Sequence, residues 1–225
     1  SSNSSPLAQL IAFLNRIRLF QPHRGVQSTD GNSPFRVAIL FFGLAIFGLG
    51  DSLLVQGDVG NAPWTVFSQG LTYKTGWSIG FATFVISVFV LLIWIPLNEK
   101  PGFGTLSNIV LIATFIEVGT HIFPKQSNVA SGIAFSLVGI ALVGLGSALY
   151  ITCGLGPGPR DGAMTGIHFK TGIRVGRVRM GIELVVLTIG WLMGGRVGIG
   201  TALFALLIGQ SVAIFLGIVA RLTHR

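Results

Sequence analysis

Charged residues are scarce in this chain of 225 residues, because only 10% of them are Asp, Glu, Lys or Arg. Soluble proteins average about 25%. Hydrophobic residues make up 51% of the sequence, and the mean hydropathy is +0.76. This composition excludes a disordered tail, a soluble enzyme and a conventional nucleic-acid-binding protein. We therefore predict an integral membrane protein whose main partner is the lipid bilayer, with no nucleic-acid partner.

Acidic residues and cysteine are scarcer still. Seven Asp and Glu stand against fifteen Lys and Arg, so the formal net charge is +8. The basic residues lie mostly between long apolar runs, where they indicate membrane topology. Cys153 is the single cysteine, which excludes an intrachain disulfide. Packing alone must hold the fold together.

Motifs for metal binding and catalysis are also missing. The four histidines show no metal-ligand spacing, and Cys153 has no histidine near it in sequence. The Gly-x-Gly pairs at 102–104 and 198–200 accompany neither a Walker lysine nor a Rossmann strand, so the threonine after each pair is expected to cap or pack a helix. No Ser or Asp has the spacing of a hydrolase motif. We predict no metal, no cofactor and no enzyme activity.

Long apolar stretches are abundant. A membrane-spanning helix needs about 20 mostly apolar residues, and six stretches come close to this: 36–56, 77–97, 103–123, 131–152, 177–194 and 199–221. With six spans and a cytoplasmic N-terminus, twelve of the fifteen basic residues lie inside, as the positive-inside rule favours. The sequence therefore predicts a multi-pass protein of the cytoplasmic (inner) membrane with both termini in the cytoplasm.

The first 35 residues differ from the rest. Residues 6–20 place leucines and isoleucines on one helical face, with Arg16 and Arg18 close by. This pattern is typical of an amphipathic helix in the membrane interface, although a short helix without lipid contact is an alternative. We assign 1–35 to a cytoplasmic N-terminal segment.

The two halves of the chain repeat each other. A shift of 96 positions aligns them without a gap, and about 22 of 70 positions from 43 to 112 are then identical. Lys-Thr-Gly at 74–76, for example, falls on Lys-Thr-Gly at 170–172. Because each repeat holds three spans, an odd number, the second copy must enter the membrane from the opposite side. We predict an all-α polytopic fold of six transmembrane helices in two inverted three-helix repeats, 36–125 and 126–225, which is the plan of many secondary transporters.

Each repeat contains a Gly/Pro-rich segment, 57–76 and 153–172, that continues into about a dozen mixed residues. Such a segment is too short to span but can form a re-entrant half-helix; an ordinary loop is the alternative. Transporters with broken helices bind substrate where those helices meet, near the membrane midplane. The residues at the start of each segment's polar part are therefore candidate substrate-binding residues: Pro63, Trp64 and Thr65 in the first repeat, and Pro159, Arg160 and Asp161 in the second.

Arg160 is the most informative of these candidates. A guanidinium near a helix N-terminus offers a site for a carboxylate or phosphate. Its counterpart in the first repeat is Trp64, so one half offers a charge and the other an aromatic wall, which suits a small amphipathic, anionic ligand. Asp161 has the alternative role of helix cap, and Trp64 that of interfacial anchor.

Ionisable residues inside spans cost about 2.5 to 3.5 kcal/mol each on insertion scales. Glu183 follows Arg179 by four residues, which predicts either a structural salt bridge or a substrate- or proton-linked role. Asp51 is expected to face a cavity lined by Gly48 and Gly50, or to hydrogen-bond a broken helix end. Glu117 lies near the outer end of its span, where we expect simple solvation.

Three segments together resemble the YczE-like (YczE/YyaS/YitT) family of bacterial integral membrane proteins: Gly-Asn-Ala-Pro-Trp at 60–64, Gly-Leu-Gly-Pro-Gly-Pro-Arg-Asp-Gly at 154–162 and Gly-Ile-Gly-Thr at 198–201. The resemblance covers about residues 36–220. It implies a multi-span cytoplasmic-membrane protein whose biochemical activity is poorly defined. Family members often carry an acidic residue where this chain has Thr65, and a proline where it has Gln210. If a symmetry-related pair of carboxylates is essential, only the one in the second repeat remains.

Two functions are consistent with these features. The first is a transporter-like small-molecule permease with a midplane site between inverted repeats, which predicts that Arg160 and Asp161 line a cavity. The alternative is a non-transporting scaffold or accessory protein whose basic cytoplasmic loop, 160–179, binds anionic lipid or a cytosolic partner. That alternative predicts a packed interior and an exposed basic face.

Overall fold

The computed structural model describes residues 34–223, and within that range all regular secondary structure is helical. The helices are α1 (Pro34–Gly57), α2 (Pro63–Thr75), α3 (Ile79–Leu97), α4 (Phe103–Ile122), α5 (Val129–Thr152), α6 (Pro159–Thr171), α7 (Val175–Leu192) and α8 (Ile199–Thr223). The predicted all-α fold is confirmed for these residues. The interfacial helix predicted at 6–20 lies outside the described residues.

Five helices of the described range, α1, α3, α4, α5 and α8, are long and apolar enough to cross a membrane. They coincide with five of the six predicted spans. The sixth predicted span corresponds to α7, an 18-residue helix that carries Arg177, Arg179 and Glu183. These three charges set α7 apart from the other long helices.

The two Gly/Pro-rich segments contain short helices, α2 and α6. Each has 13 residues, or about 20 Å at a rise of ~1.5 Å per residue, which is less than the ~30 Å hydrocarbon core. Each begins with a proline in the first turn, where its missing N–H costs no hydrogen bond. Each ends at a glycine in the left-handed region, Gly76 (φ 76°) or Gly172 (φ 73°). These segments are therefore half-length helices and not ordinary loops.

The helix boundaries repeat along the chain with the same 96-residue shift as the sequence. Pro63–Thr75 maps onto Pro159–Thr171 at both ends, and the starts of α3 and α4 map onto those of α7 and α8. Both halves therefore have the same order of elements, namely a long helix, a half-length helix and two further helices.

Helices α1 and α5, which begin the two halves, pack against each other in opposite directions. A Cβ added to Gly50 would lie 2.7 Å from the carbonyl oxygen of Gly139, and one on Gly57 would lie 2.8 Å from that of Gly132. At the other end of α1, a Cβ on Gly43 would lie 3.1 Å from the Gly146 carbonyl oxygen. Any larger side chain would push the helices apart, since small residues permit this close approach. The glycine-rich seam makes α1 and α5 the centre of the fold.

The first turn of the last helix in each half forms a hydrogen bond with the loop before the half-length helix of the other half. The N–H of Gly104 donates to the Leu155 carbonyl at 2.7 Å, and the N–H of Gly200 donates to the Val59 carbonyl at 2.8 Å. These two bonds are equivalent under the 96-residue shift. In the same way α2 packs on α7, and α6 packs on α3.

The threonines after the two Gly-x-Gly pairs cap helices, as predicted. The Thr105 hydroxyl accepts from the Gly102 N–H at 3.2 Å, and the Thr201 hydroxyl accepts from the Gly198 N–H at 3.2 Å. Thr105 also donates to the Pro157 carbonyl at 2.7 Å, which ties α4 to the loop before α6.

One pair of equivalent interfaces differs between the halves. Helix α3 packs closely on α4, because a Cβ added to Gly80 would lie 2.7 Å from the Ala113 carbonyl oxygen. The counterparts on α7 and α8 are Gly176 and Gly209, and an added Cβ at either would meet no atom of the described chain within 4 Å. Helices α7 and α8 are therefore parted where α3 and α4 are in contact.

Glu117 takes part in the closed interface. Its Oε2 accepts from the Gly80 N–H at 2.9 Å, so the carboxylate satisfies a free backbone donor at the start of α3. The prediction of simple solvation for Glu117 was therefore incomplete, because the side chain joins α4 to the first turn of α3.

Candidate functional site

A cavity of about 150 Å³ lies where the first turns of α2 and α6 meet. Its walls come from both half-length helices and from α1, α3, α4, α5, α7 and α8. Eight of the nine predicted site residues line it: Asp51, Pro63, Trp64, Pro159, Arg160, Asp161, Arg179 and Glu183. The ninth, Thr65, is 1% exposed and contacts Asp51. Tertiary structure thus brings together residues from four helices that the sequence presents separately.

Arg160 and Trp64, which occupy equivalent positions in the two halves, contact each other. The guanidinium carbon of Arg160 lies 4.7 Å from the centroid of the Trp64 ring. A cation–π contact of this kind stabilises by about 0.5 to 2 kcal/mol. The Arg160 side chain forms no hydrogen bond or ion pair within 4.0 Å with any residue that the structure describes. Its guanidinium donors are therefore available to a ligand or to water.

Asp51 joins α1 to the start of α2. It is 2% exposed, and both of its carboxylate oxygens lie 3.0 Å from the Thr65 hydroxyl that donates to them. Asp51 therefore faces a cavity and also bonds a broken helix end. Gly48 and Gly50 are not among the described lining residues of that cavity, because they pack α1 closely against α4 and α5. Of the symmetry-related positions 65 and 161, only the second carries a carboxylate, as the sequence indicates. In the first half, α2 carries Thr65 at the position equivalent to Asp161, and the carboxylate beside the cavity is that of Asp51 on α1.

Asp161 has a partner that the sequence did not indicate. Its Oδ2 accepts a hydrogen bond of 2.6 Å from the hydroxyl of Tyr150, a residue of α5 that is 6% exposed. Asp161 makes no side-chain cap to the start of α6, so the capping alternative is not seen. In the sequence, Tyr150 could have been noticed as a residue whose hydroxyl group lies within a long apolar span and therefore needs a hydrogen-bond partner.

Arg179 and Glu183 form the predicted salt bridge, with Nε donating to Oε1 at 2.9 Å. Both line the cavity from α7. The counterpart of Glu183 in the first half is Ser87, and the counterpart of Asp51 in the second half is Ser147; both serines line the cavity too. Among residues 34–223, no three His, Cys, Asp or Glu side chains lie close enough to hold a metal ion.

Trp94 positions the start of α6. Its indole Nε1 donates to the Pro159 carbonyl at 2.9 Å, and the ring, 2% exposed, fills the space beside Gly162. A Cβ on Gly162 would lie 2.1 Å from that ring. The first turn of α6, which carries Arg160 and Asp161, is therefore held against α3 by a buried hydrogen bond and by close packing.

Residues 34–217 match the profile of a family described as "Family of unknown function (DUF6198)". A Haemophilus influenzae protein described as uncharacterized is 47% identical over 188 residues, which are 84% of this chain and 86% of that protein. The uncharacterized membrane protein YczE of Bacillus subtilis is 37% identical over 176 residues, 77% of this chain and 82% of YczE. The uncharacterized protein YyaS of the same organism is 27% identical over 184 residues, 80% of this chain and 91% of YyaS. No solved structure matches the chain.

Proposed function

This chain belongs to the DUF6198 family and is similar to the membrane protein YczE, and from its site we propose that it is a small-molecule permease of the cytoplasmic membrane. The predicted resemblance to the YczE-like family is confirmed by these matches. The observation that carries the proposal is the cavity between the two half-length helices, lined by Arg160 and Asp161. A permease predicts such a cavity, whereas the alternative scaffold predicts a packed interior.

The proposed membrane arrangement has six spans, with α7 as the sixth. Arg179 and Glu183 of α7 pair with each other and border the cavity, and a charge in a span is tolerated when it is paired and faces a polar interior. The antiparallel packing of α1 on α5 supports an inverted relation between the halves. Six spans also keep most basic residues in the cytoplasm.

In this arrangement α2 and α6 are re-entrant helices that enter from opposite sides. Their N-termini, which carry a partial positive charge, meet at the cavity near the midplane. Irregular backbone at this depth is tolerated where protein or a cavity surrounds it. A substrate with an anionic group would bind Arg160, and its apolar part would contact the cavity wall formed by Ile112, Val143 and Ile208.

The unequal helix interfaces support alternating access. In the proposed topology the closed contact of Gly80 with α4 lies on the outer side, and the parted Gly176 and Gly209 lie on the cytoplasmic side. The structure then corresponds to a state open to the cytoplasm. If the two halves exchanged these arrangements, α7 would pack on α8 and α3 would part from α4, which would open the site outward.

The test is uptake into proteoliposomes. The purified protein is screened for metabolites that raise its Tm, because a bound ligand stabilises by mass action, and each stabilising compound is then assayed for uptake. We expect uptake by the wild type, loss of most uptake in Arg160→Ala, and wild-type uptake in Arg177→Ala. Arg177 is the matched control because it is an exposed arginine outside the cavity.

Two results would contradict the permease. One is a compound that binds the cavity but is not moved across the membrane. The other is stabilisation by anionic lipid alone, lost in Arg177→Ala and unchanged in Arg160→Ala. The second result would favour the accessory protein that presents its basic loop to lipid.

A further inference from the structure

The charges that line the cavity do not balance. Arg179 and Glu183 neutralise each other through their salt bridge. The remaining charged groups of the lining are Arg160, Asp51 and Asp161, so two carboxylates stand against one guanidinium. Both carboxylates act electrostatically on Arg160, but neither forms an ion pair within 4.0 Å with a described residue.

The two carboxylates differ in their surroundings. Asp51 is almost fully buried, and its one hydrogen-bond donor among residues 34–223 is the Thr65 hydroxyl, shared by both oxygens. A buried carboxylate with a single neutral donor is costly unless a positive charge or a proton compensates it. Asp161 is exposed, and within residues 34–223 only its Oδ2 receives a donor, Tyr150. Asp161 therefore has an oxygen available to a ligand, whereas Asp51 is placed to carry a proton.

Arg160 supplies the complementary group. Its planar guanidinium matches a carboxylate in a bidentate geometry, and no described residue occupies its donors. The cavity thus offers one site for a carboxylate and one for an ammonium group within about 150 Å³. That volume equals about five water molecules at ~30 Å³ each, so it suits a molecule the size of an amino acid.

We propose that the cavity binds a small zwitterion together with one proton. The ligand carboxylate binds Arg160, the ligand ammonium binds Asp161, and Asp51 holds the proton. The charges of the zwitterion cancel each other, and the proton on Asp51 removes the remaining excess negative charge. This inference deepens the proposed function and rests on it for the role of the cavity as a substrate site.

The groups around Asp51 come from four other helices. Thr65 faces it from α2, Tyr150 lines the cavity from α5, Arg160 and Asp161 from α6, and the Arg179–Glu183 pair from α7. The described parts of α3, α4 and α8 add no titratable side chain to the lining. Asp51 is therefore the one buried carboxylate of the described cavity wall that lacks both an ion pair within 4.0 Å and an open face.

The test uses the full chain in detergent and the amino acids as probes. Each amino acid that raises the Tm is compared with its deaminated and decarboxylated analogues, for example leucine with 4-methylpentanoate and 3-methylbutylamine. We expect both single-charge analogues to bind at least tenfold more weakly than the zwitterion. Arg160→Gln and Asp161→Asn should each weaken zwitterion binding at least tenfold, and Arg177→Gln should leave it unchanged.

Proton uptake on binding tests the role of Asp51. The ligand carboxylate neutralises Arg160, whose charge favours the ionised form of Asp51 in the empty cavity, so binding should shift Asp51 towards its protonated form. In weakly buffered solution the wild type should therefore take up protons on binding, up to one per ligand, and Asp51→Asn should bind the ligand without proton uptake. The asparagine amide oxygen still accepts from Thr65, so this variant should fold, which its Tm without ligand checks. The proposal is overturned if no amino acid binds, if either single-charge analogue binds as tightly, or if Asp51→Asn takes up the same number of protons.

Failure of this inference is distinguishable from failure of the permease. A zwitterion that binds with one proton but does not enter proteoliposomes would leave the ligand class standing and reject transport. Uptake of a single-charge compound would support transport and reject the zwitterion.

Discussion

Asp51 and Thr65 illustrate how the two halves place a carboxylate beside the cavity from different helices. In the second half the long helix carries Ser147 and the half-length helix carries Asp161. In the first half the acidic residue is on the long helix, and the hydroxyl is on the half-length helix. The two halves therefore have the same pair of chemical groups, a carboxylate and a hydroxyl, in exchanged positions.

The exchange can be tested by making the first half like the second. Thr65→Asp alone should lower stability, because it places two carboxylates in contact at a buried site. Adding Asp51→Ser should restore most of the loss, with an interaction free energy of about 0.5 to 3 kcal/mol between the two positions. Chemical unfolding in detergent measures all four variants of the cycle. Additive effects would show that the two side chains do not act as a pair.

At the scale of helices, close packing of α6 on α3 positions the half-length helix. The sequence predicts α6 from its proline and its glycines, but the contact with Trp94 depends on the approach of two helices 65 residues apart in sequence. The indole ring is buried and hydrogen-bonded, so it has little freedom to move when a neighbour grows.

Gly162→Ala tests this packing. The added Cβ would lie 2.1 Å from the Trp94 ring, and overpacking of this kind costs about 1 to 3 kcal/mol. Gly181→Ala is the matched control, because a Cβ there meets no described atom within 4 Å, and alanine in a helix interior is favoured over glycine by about 1 kcal/mol. We expect the Tm to fall for Gly162→Ala and to stay or rise for Gly181→Ala. Equal Tm values for the two variants would count against the close packing.

At the scale of the whole molecule, the two halves share their elements but not all of their contacts. The α1–α5 seam is symmetric, and so are the two hydrogen bonds between the halves, from the Gly104 N–H to the Leu155 carbonyl and from the Gly200 N–H to the Val59 carbonyl. The contact between the last two helices is closed in the first half and open in the second. This difference cannot come from backbone preferences, because both halves have glycine at the equivalent positions 80 and 176.

If the halves exchange arrangements during transport, α7 must approach α8. A Gly176→Cys, Gly209→Cys variant in a Cys153→Ala background should therefore form a disulfide under oxidising conditions while the protein is turning over. The cross-link should stop uptake, and reduction should restore it; each single-cysteine variant is the control. A variant that transports normally but never cross-links would show that the gap between α7 and α8 is permanent.

Much of the architecture follows from the sequence alone. Apolar runs of about 20 residues specify spans because a helix must match the bilayer thickness, and Pro and Gly mark the half-length helices because they restrict or free the local backbone. The gapless repeat likewise predicts the equivalent helix boundaries. These features are local, so they can be read without knowing how the helices pack.

The site depended on tertiary structure. Asp51 with Thr65, Tyr150 with Asp161, and Trp64 with Arg160 are pairs whose members lie on different helices, so their contact is decided by how the long helices cross and where the short ones end. The parting of α7 from α8 is also a property of packing, since equivalent glycines in the two halves have different neighbours. The helices and their repetition can be predicted from the sequence, because they depend on local residue patterns. Which charges share a cavity depends on packing, because side chains far apart in the chain meet only when their helices come together.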